Sequence, residues 1–370
     1  MVGGRVAALD VLRGVAILGT LGTNIWIFTT SGGAAGFLSG GESGFAETEL
    51  RFLSNGKYLA LLSIMFGIGL AMQHASALRR GERWPGWYLW RSALLLFEGL
   101  IHYVLIFEFD VLMFYALVSV LVAYLVGRSD KVIRGWMIAQ GVLLTAIIGL
   151  LTWALFAGTA GTPSGGPPTD TSNWLAQVQA RLDYAGLYRV EALFAIPLST
   201  VLFLAGVRLL RAGALEDSER GRRIQRRLVG WGLGLGVPLN AITSFAGAEW
   251  FLVDRYLCAP VVAFGLLGLI TMLVNRMRAE AGVVRRGLTS VGRAALTCYI
   301  GQNVIASILC YDWGFGLNGH GPAVTAALWL GISVLLMAGA SWWLRRHERG
   351  PMEALWQWAH RAPQRLPALR

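Results

Sequence analysis

Apolar segments about as long as a membrane is thick recur along the whole chain, and they constrain its fold more than any other feature. A bilayer core of about 30 Å is crossed by a helix of roughly 20 mostly apolar residues. Ten such segments can be placed at 7–28, 58–75, 90–107, 111–127, 135–157, 189–210, 228–248, 256–274, 290–311 and 323–344. They predict an all-α integral membrane protein with about ten transmembrane helices. No stretch between them is long enough for an independent soluble domain.

The charged residues agree with a membrane protein and predict its orientation. Hydrophobic residues make up 55% of the chain and charged residues 14%, where a soluble chain carries about 25% charge. The net charge of +11 would by itself suit a nucleic-acid binder. With the N-terminus in the cytoplasm, however, 26 of the 32 Lys and Arg residues fall on the cytoplasmic side. Only Arg51, Lys57, Arg181, Arg189 and Arg255 fall outside, and Arg13 lies within the first segment. This asymmetry follows the positive-inside rule, so we predict two cytoplasmic termini, contact with lipid headgroups and no nucleic-acid partner.

The segments divide the chain into a membrane domain, residues 1–345, and a cytoplasmic amphipathic tail, residues 346–370. The first segment contains charged residues and has no cleavage pattern, so we interpret it as a retained helix. Long outer loops are expected at 29–57 and 158–188. The second loop opens with a flexible Gly- and Pro-rich run and then predicts a short helix on the outer leaflet, with Gln177, Arg181 and Asp183 between apolar positions. In the tail, helical spacing of apolar residues predicts a helix on the inner membrane surface: Met352, Leu355, Trp356 and Ala359.

Metal and thiol chemistry are not expected from the sequence. The three cysteines form no CxxC motif, and no two histidines have metal-ligand spacing. Cys258 and Cys310 are both expected near the outer surface, which leaves a disulfide between them open. An odd, scattered set of cysteines is more typical of packing.

Glu98 and His102 in the third segment are the strongest indication of chemistry. Ionisable groups cost about 3 kcal/mol at membrane depth, so each one invites a functional hypothesis. The two residues are four positions apart and share a helix face, about 10 and 16 Å from Arg91 along the axis. A carboxylate that holds one imidazole nitrogen leaves the other free to act as a general base. The alternative is a buried hydrogen bond that only joins helices.

Three further places carry polar groups, each with a structural alternative. Asp110 follows Glu108 in the turn before the fourth segment, where it either orients a base or substrate or is a solvated turn residue. Asp10 and Arg13 are three apart and either neutralise each other or bind substrate, and Asn24 serves packing or substrate. The ninth segment has a polar stripe, which also suits contacts between helices: Arg293, Thr297, Tyr299, Gln302 and Asn303.

Several motifs together resemble the YeiB-like family of polytopic bacterial membrane proteins. They are Arg5-Val-Ala-Ala-Leu-Asp10-Val-Leu-Arg13-Gly14 with Asn24, Phe66-Gly-Ile-Gly69, Gly99-Leu-Ile-His102, Asp110-Val-Leu, Gly292-Arg-Ala-Ala-Leu-Thr297-Cys-Tyr-Ile-Gly-Gln302, Trp313-Gly-Phe-Gly-Leu and Gly350-Pro-Met-Glu353. They extend over nearly the whole chain. The resemblance implies a multi-pass protein of the bacterial inner (plasma) membrane.

The family is grouped with transmembrane acyltransferases similar to the lysosomal heparan glucosaminide acetyltransferase, which share the start matched by Leu9, Asp10, Arg13 and Gly14. The resemblance therefore implies transfer of an acyl group from acyl-CoA, a co-substrate and not a permanently bound cofactor, to a small-molecule or glycan acceptor. The lysosomal enzyme has a histidine in its first outer region, where residues 29–57 here have none. His102 is then the histidine expected well inside the membrane.

Three functional hypotheses follow. In the leading one, an acyltransferase, His102 held by Glu98 is the base and Asp110 assists. Substrate binding falls to Asp10, Arg13, Asn24 and Gln302, with Arg79, Arg80, Arg91 or Arg293 for the phosphates of CoA. The second is a transporter or flippase for a lipid-like molecule, although the inverted repeat of many transporters is absent. The only internal echo, between Phe66-Gly-Ile-Gly-Leu-Ala and Phe203-Leu-Ala-Gly-Val-Arg, is parallel. The third is a scaffold. A homo-oligomer is compatible with all three.

Overall fold

The structure is a computed structural model that describes residues 7–39, 44–158, 170–277 and 282–362. The predicted flexible run at 158–168 lies, apart from Gly158, outside the described residues, as do Arg5, Arg278, Arg365 and Arg370. Regular structure in the described ranges is helical, without strands. The helices are α1 (Ala7–Thr29), α2 (Gly33–Ser39), α3 (Phe45–Ser54), α4 (Lys57–Arg79), α5 (Trp87–Leu105), α6 (Leu112–Leu125), α7 (Asp130–Phe156), α8 (Trp174–Asp183), α9 (Ala185–Tyr188), α10 (Ala192–Ala212), α11 (Glu219–Gly234), α12 (Gly236–Phe245), α13 (Phe251–Val253), α14 (Ala259–Arg276), α15 (Val283–Arg293), α16 (Ala295–Cys310), α17 (Pro322–Trp343) and α18 (Pro351–Arg361).

Seven helical stretches of the described residues are long and apolar enough to cross a membrane, by length and composition: Ala8–Thr29, Phe45–Arg79, Asp130–Phe156, Ala185–Ala212, Glu219–Phe245, Ala248–Arg276 and Pro322–Trp343. The other three predicted segments are also helical, as the 19-residue α5 and the shorter apolar helices α6 and α16. The all-α prediction is therefore confirmed for the described part of the chain. The number of membrane crossings stays a prediction. The cytoplasmic position of the two termini also stays a prediction.

Two predicted segments are interrupted. Segment 228–248 divides into α11 and α12 at Leu235, and segment 290–311 divides into α15 and α16 at Ala294. Ala294 leaves the helical conformation, with φ −111° and ψ 40°, so α16 begins as a new helix. The first backbone N–H groups of α16 therefore have no hydrogen-bond partner within the helix. These donors contribute to the site described below. The end of the bundle at which α15 ends and α16 begins carries most of the arginines and is called the basic face; the other end is the opposite face.

Helix α1 runs through the centre of the bundle, packed against α4, α14, α15 and α16. In its apolar stretch 83% of the residues are buried, against 17% in α7 and 22% in α17, which expose apolar side chains around the outside. Large apolar residues of α7 such as Ile138 and Trp153 are exposed, as expected for helices that face lipid.

Glycines at two crossings let backbones approach closely. A methyl group on Gly292 would lie 1.8 Å from the Asp10 carbonyl oxygen, and one on Gly14 would lie 2.1 Å from the Leu288 carbonyl oxygen. The same reciprocal arrangement joins α4 to α10, through Gly67 and Gly206. Small residues are the usual means of close helix contact in membranes. The first crossing places Asp10 and Arg13 of α1 beside α15. The second crossing packs the two similar motifs, which begin at Phe66 and Phe203, against each other.

Candidate functional site: a buried histidine cluster beside an arginine-lined cavity

Polar side chains from four elements meet in the middle of the bundle. His102 comes from α5, Asp110 from the turn before α6, Tyr299 and Asn303 from α16, and Asn24 from α1. All five are buried, and His102 and Asp110 are exposed by only 1% and 0%. These five residues are called the buried cluster.

Asp110 is the hydrogen-bond partner of the His102 ring. The distance from His102 Nδ1 to Asp110 Oδ1 is 2.9 Å. The second carboxylate oxygen accepts from the backbone N–H of Leu112 at 2.9 Å and of Met113 at 3.4 Å, in the first turn of α6. The Asp110 carboxyl group thus lies at the N-terminus of α6, a position that favours acidic side chains, and its other oxygen faces Nδ1 of the imidazole. Asp110 is fully buried, so the alternative of a solvated turn residue is wrong. Orientation of a base or a substrate by Asp110 stays a prediction.

The predicted contact between Glu98 and His102 is wrong. Both oxygens of Glu98 are buried and have no hydrogen-bond partner among the described residues. Glu98 and His102 share a helix face. However, the chain turns back after α5 and places Asp110, instead of Glu98, against the His102 ring. Gly99 makes this possible, because a methyl group there would lie 3.0 Å from Asp110 Oδ2.

Tyr299 and Asn303 complete the surroundings of His102. The Tyr299 hydroxyl donates to Asp110 Oδ1 at 3.2 Å. The Asn303 amide nitrogen lies 3.2 Å from His102 Nε2 and Asn303 Oδ1 accepts from the Asn24 amide at 3.3 Å. The sequence placed Tyr299 and Asn303 in the polar stripe of the ninth segment, without a role at the histidine. Their spacing of four residues was the available signal, because it puts both side chains on one helix face.

A cavity of about 640 Å³ extends from the basic face to the buried cluster. Its wall includes four arginines, Arg13, Arg91, Arg293 and Arg349. The cavity reaches Glu98 and Tyr299 at its inner end. Helix α5 forms part of this wall, and Arg91 and Glu98 lie about 10 Å apart along its axis. Tyr299 thus joins the cavity to the His102–Asp110 pair by one hydrogen bond.

Helix α18 covers the basic end of this cavity, with Glu353, Trp356, Gln357 and His360 in its wall. Glu353 accepts from the Leu296 backbone N–H at 2.7 Å and from the Thr297 hydroxyl at 2.6 Å, at the start of α16. The Arg91 guanidinium lies 4.4 Å from the centre of the Trp356 ring.

The tail therefore forms the predicted helix, but it packs on the protein along one side, while Leu355 and Trp358 stay exposed. Partial burial lowers the pKa of His360, and the positive charges of Arg91 and Arg361 lower it further. The ring is therefore suited to be neutral at neutral pH.

The remaining substrate-binding candidates are distributed unevenly. Arg80 lies in an adjoining cleft of about 220 Å³, where it bonds to Glu82 at 2.6 Å, and Arg79 lines neither space. Asp10 forms the predicted pair with Arg13 at 3.8 Å. Gln302 is buried, but its amide atoms have no hydrogen-bond partner among the described residues and it does not line the cavity.

The short outer helix forms as α8, but its polar side is turned inward. Arg181 is 1% exposed and its Nε donates to Glu108 Oε1 at 3.0 Å, while Leu175 and Leu182 are exposed. The Arg181 backbone carbonyl also accepts from the Tyr103 hydroxyl of α5. The prediction of a short helix is correct, and its polar residues Gln177 and Arg181 are buried against the protein. The ion pair between Arg181 and Glu108, which lies in the turn before Asp110, offsets the loss of hydration of the Arg181 side chain.

The described residues contain no group of three His, Cys, Asp or Glu side chains arranged to hold a metal ion. Cys258, Cys298 and Cys310 are all free thiols, so Cys258 and Cys310 do not pair here.

Fold and site together define a polytopic helical protein with membrane-spanning candidates and a buried histidine cluster reached from one face. Residues 209–362 match a family described as "Protein of unknown function (DUF418)". The chain is also similar to "Uncharacterized protein YxaH" of Bacillus subtilis (strain 168), 26% identical over 95% of this chain and 93% of the relative. It is 28% identical to "Uncharacterized protein YeiB" of Escherichia coli (strain K12), over 95% of each chain. These findings support the YeiB-like resemblance.

Proposed function

We propose that the protein is an integral-membrane acyltransferase of the bacterial inner membrane, which moves an acyl group from acyl-CoA to a small acceptor. The observation that carries the proposal is the buried His102–Asp110 pair, which the hydroxyl of Tyr299 joins to the inner end of a cavity lined by arginines. A histidine oriented by a carboxylate is the usual form of a general base. Arginine-rich walls suit a donor that carries several phosphates.

The donor enters from the basic face, which we assign to the cytoplasm. Arg13, Arg91 and Arg293 line the cavity together with Arg349, and their guanidinium groups suit the phosphates of CoA. Apolar residues such as Ile17 and Leu95 line the same cavity and suit the acyl-bearing arm. Arg79 and Arg80 lie outside the cavity, so we assign them no part in gripping the donor.

His102 Nε2 is the atom that takes the acceptor's proton. In the structure this nitrogen faces the Asn303 amide, so an acceptor hydroxyl or amine replaces that contact. The acceptor atom then bonds to the thioester carbonyl carbon, the carbon–sulfur bond breaks with its electron pair on sulfur, and the CoA thiolate takes up a proton and leaves as the thiol. No covalent intermediate with the protein is required, because the thioester is already activated.

The test is acyl transfer by the purified protein in lipid nanodiscs. We expect His102→Ala to lower turnover of acyl-CoA by at least about 100-fold, because general-base catalysis contributes 10²–10⁴-fold. His320→Ala is the matched control, since His320 is exposed and its Nδ1 atom contacts the backbone carbonyl of Asn318. It should turn over at the wild-type rate. CoA release is measured with a thiol reagent and the modified acceptor by mass spectrometry.

Two results would contradict the proposal. An unchanged rate in His102→Ala would remove the histidine from the reaction. Uptake of a lipid-like molecule into liposomes without release of CoA would favour the transporter or flippase instead. Absence of both activities would favour the scaffold.

A further inference from the structure

Glu98 presents to the cavity a carboxyl group for which the protein supplies no partner. Both of its oxygens are buried without a hydrogen bond, and no other carboxyl group of the described residues has both oxygens in this state. A buried carboxylate without a partner is costly, so such a group takes up a proton or meets a ligand. Glu98 lies on the cavity wall, where a bound molecule reaches it.

The position of Glu98 relative to His102 is the second observation. The two residues are four apart on α5, one helical turn, so their side chains lie along one face about 6 Å apart in rise. His102 is bound to Asp110, and Tyr299 joins that pair to the cavity wall. An acyl carbon beside Tyr299 therefore has the base on its deeper side and Glu98 on the side nearer the basic face.

We propose that Glu98 is the acid that protonates the leaving sulfur of the donor; this inference rests on the proposed acyltransferase function. The acceptor oxygen bonds to the carbonyl carbon and its proton moves to His102 Nε2. The carbon–sulfur bond breaks, its electron pair stays on sulfur, and sulfur takes the proton of the Glu98 carboxyl group. The products are the acylated acceptor and the free thiol.

One proton is gained at His102 and one is lost at Glu98, so the step balances without another reactant. The starting state returns when His102 releases its proton and Glu98 takes up a proton from water at the cavity entrance. An acid at this place favours release of the sulfur because apolar side chains of the wall, such as Ile17 and Leu95, do not stabilise the charge of a thiolate.

The experiment compares two donors that differ only at the leaving atom. One is acyl-CoA and the other is the acyl selenoester of the same coenzyme, whose selenolate is a weaker base and leaves without a proton. With Glu98→Gln we expect thioester turnover to fall by about 100-fold or more and selenoester turnover to stay within about 3-fold of wild type. Selenoester turnover also shows that the variant is folded. Glu49→Gln, an exposed position on α3, is the matched control and should match the wild type on both donors.

The outcomes separate this inference from the function on which it rests. If the wild type turns over neither donor, the proposed function fails and the role of Glu98 fails with it. If the wild type is active and Glu98→Gln is either unaffected or equally slow with both donors, the function stands and the acid role is wrong. Only a loss confined to the thioester supports Glu98 as the proton donor.

Discussion

Asp110 is the residue on which the geometry of the buried cluster depends. One of its oxygens meets His102 and Tyr299, and the other meets two backbone N–H groups of α6. Its own backbone carbonyl accepts from the Arg189 guanidinium at 3.1 Å. With each carboxylate oxygen contacted by two neighbours, the side chain can hold the imidazole in one orientation, with Nε2 facing the Asn303 amide.

A prediction at this scale concerns Asp110→Asn. An amide keeps the size of the side chain but loses the charge that favours the imidazolium formed during the reaction. We expect kcat for acyl transfer to fall by about 100-fold or more, with KM changed by less than about 3-fold. Steady-state kinetics with acyl-CoA measure both constants. Asp183→Asn, exposed on α8, is the control and should leave both unchanged. A rise in KM without a fall in kcat would count against the orienting role.

At the scale of elements, close helix crossings position the residues of the site. Gly292 and Gly14 bring α15 against α1, which sets Arg13 on the cavity wall and aligns α16 beyond the break at Ala294. Glu353 of α18 then satisfies the backbone donors at the start of α16. The motif residue Gly14 is thus explained by packing, without a chemical role.

The prediction for elements is that Gly292→Ala destabilises the protein. The added methyl group would lie 1.8 Å from a backbone oxygen, so α1 and α15 must separate. We expect the free energy of unfolding to fall by about 3 kcal/mol, measured by thermal or denaturant unfolding in detergent. Gly141→Ala on α7 is the matched control, because no atom lies within 4 Å of its added methyl group. That variant should be neutral or slightly more stable, since alanine favours helices. Equal stability of the two variants would contradict the close crossing.

Across the whole molecule, the basic face and the opposite face differ in the contacts and exposure of their basic side chains. The five basic residues predicted on the opposite face all contact an acid or a carbonyl group: Arg51, Lys57, Arg181, Arg189 and Arg255. On the basic face, side chains such as Arg220, Arg226 and Arg227 of α11 are exposed. Free positive charge is therefore concentrated on one side, where it suits anionic lipid headgroups and the phosphates of the donor.

The prediction for the whole molecule is that the basic face lies in the cytoplasm. We replace the partly exposed Cys258 by Ser and introduce single cysteines as Glu49→Cys on the opposite face and Arg223→Cys on the basic face. In cells with a permeable outer membrane, an impermeant thiol reagent should label the first variant directly. The second should react only after the inner membrane is opened. The reverse pattern would refute the orientation, and labelling of both in intact cells would refute two separate faces.

Much of the fold and part of the candidate site could be predicted from the sequence. The positions of the ten helical segments follow from local apolar length, and Glu98, His102 and Asp110 stood out because charge is costly there. The break at Leu235 has a signal in the sequence, because Pro238 lacks the N–H that would bond to the Gly234 carbonyl and Gly234 and Gly236 flank the break. The break at Ala294 could not be predicted, since no proline lies near it and it depends on packing with other helices. The burial of Arg181 could not be predicted from the sequence, because its partner Glu108 lies 73 positions earlier.

The sequence by itself determined the helical class, the uneven distribution of arginine and the presence of a histidine with acids close by. Local composition suffices for these, because they depend on the free energy of moving each residue type between water and lipid. Only the tertiary structure decided which acid meets the imidazole. Glu98 is four residues before His102 and Asp110 is eight after it, and both are within reach of the ring. The turn after α5 and the close approach at Gly99 bring Asp110 to the ring, and Glu98 is left facing the cavity without a partner.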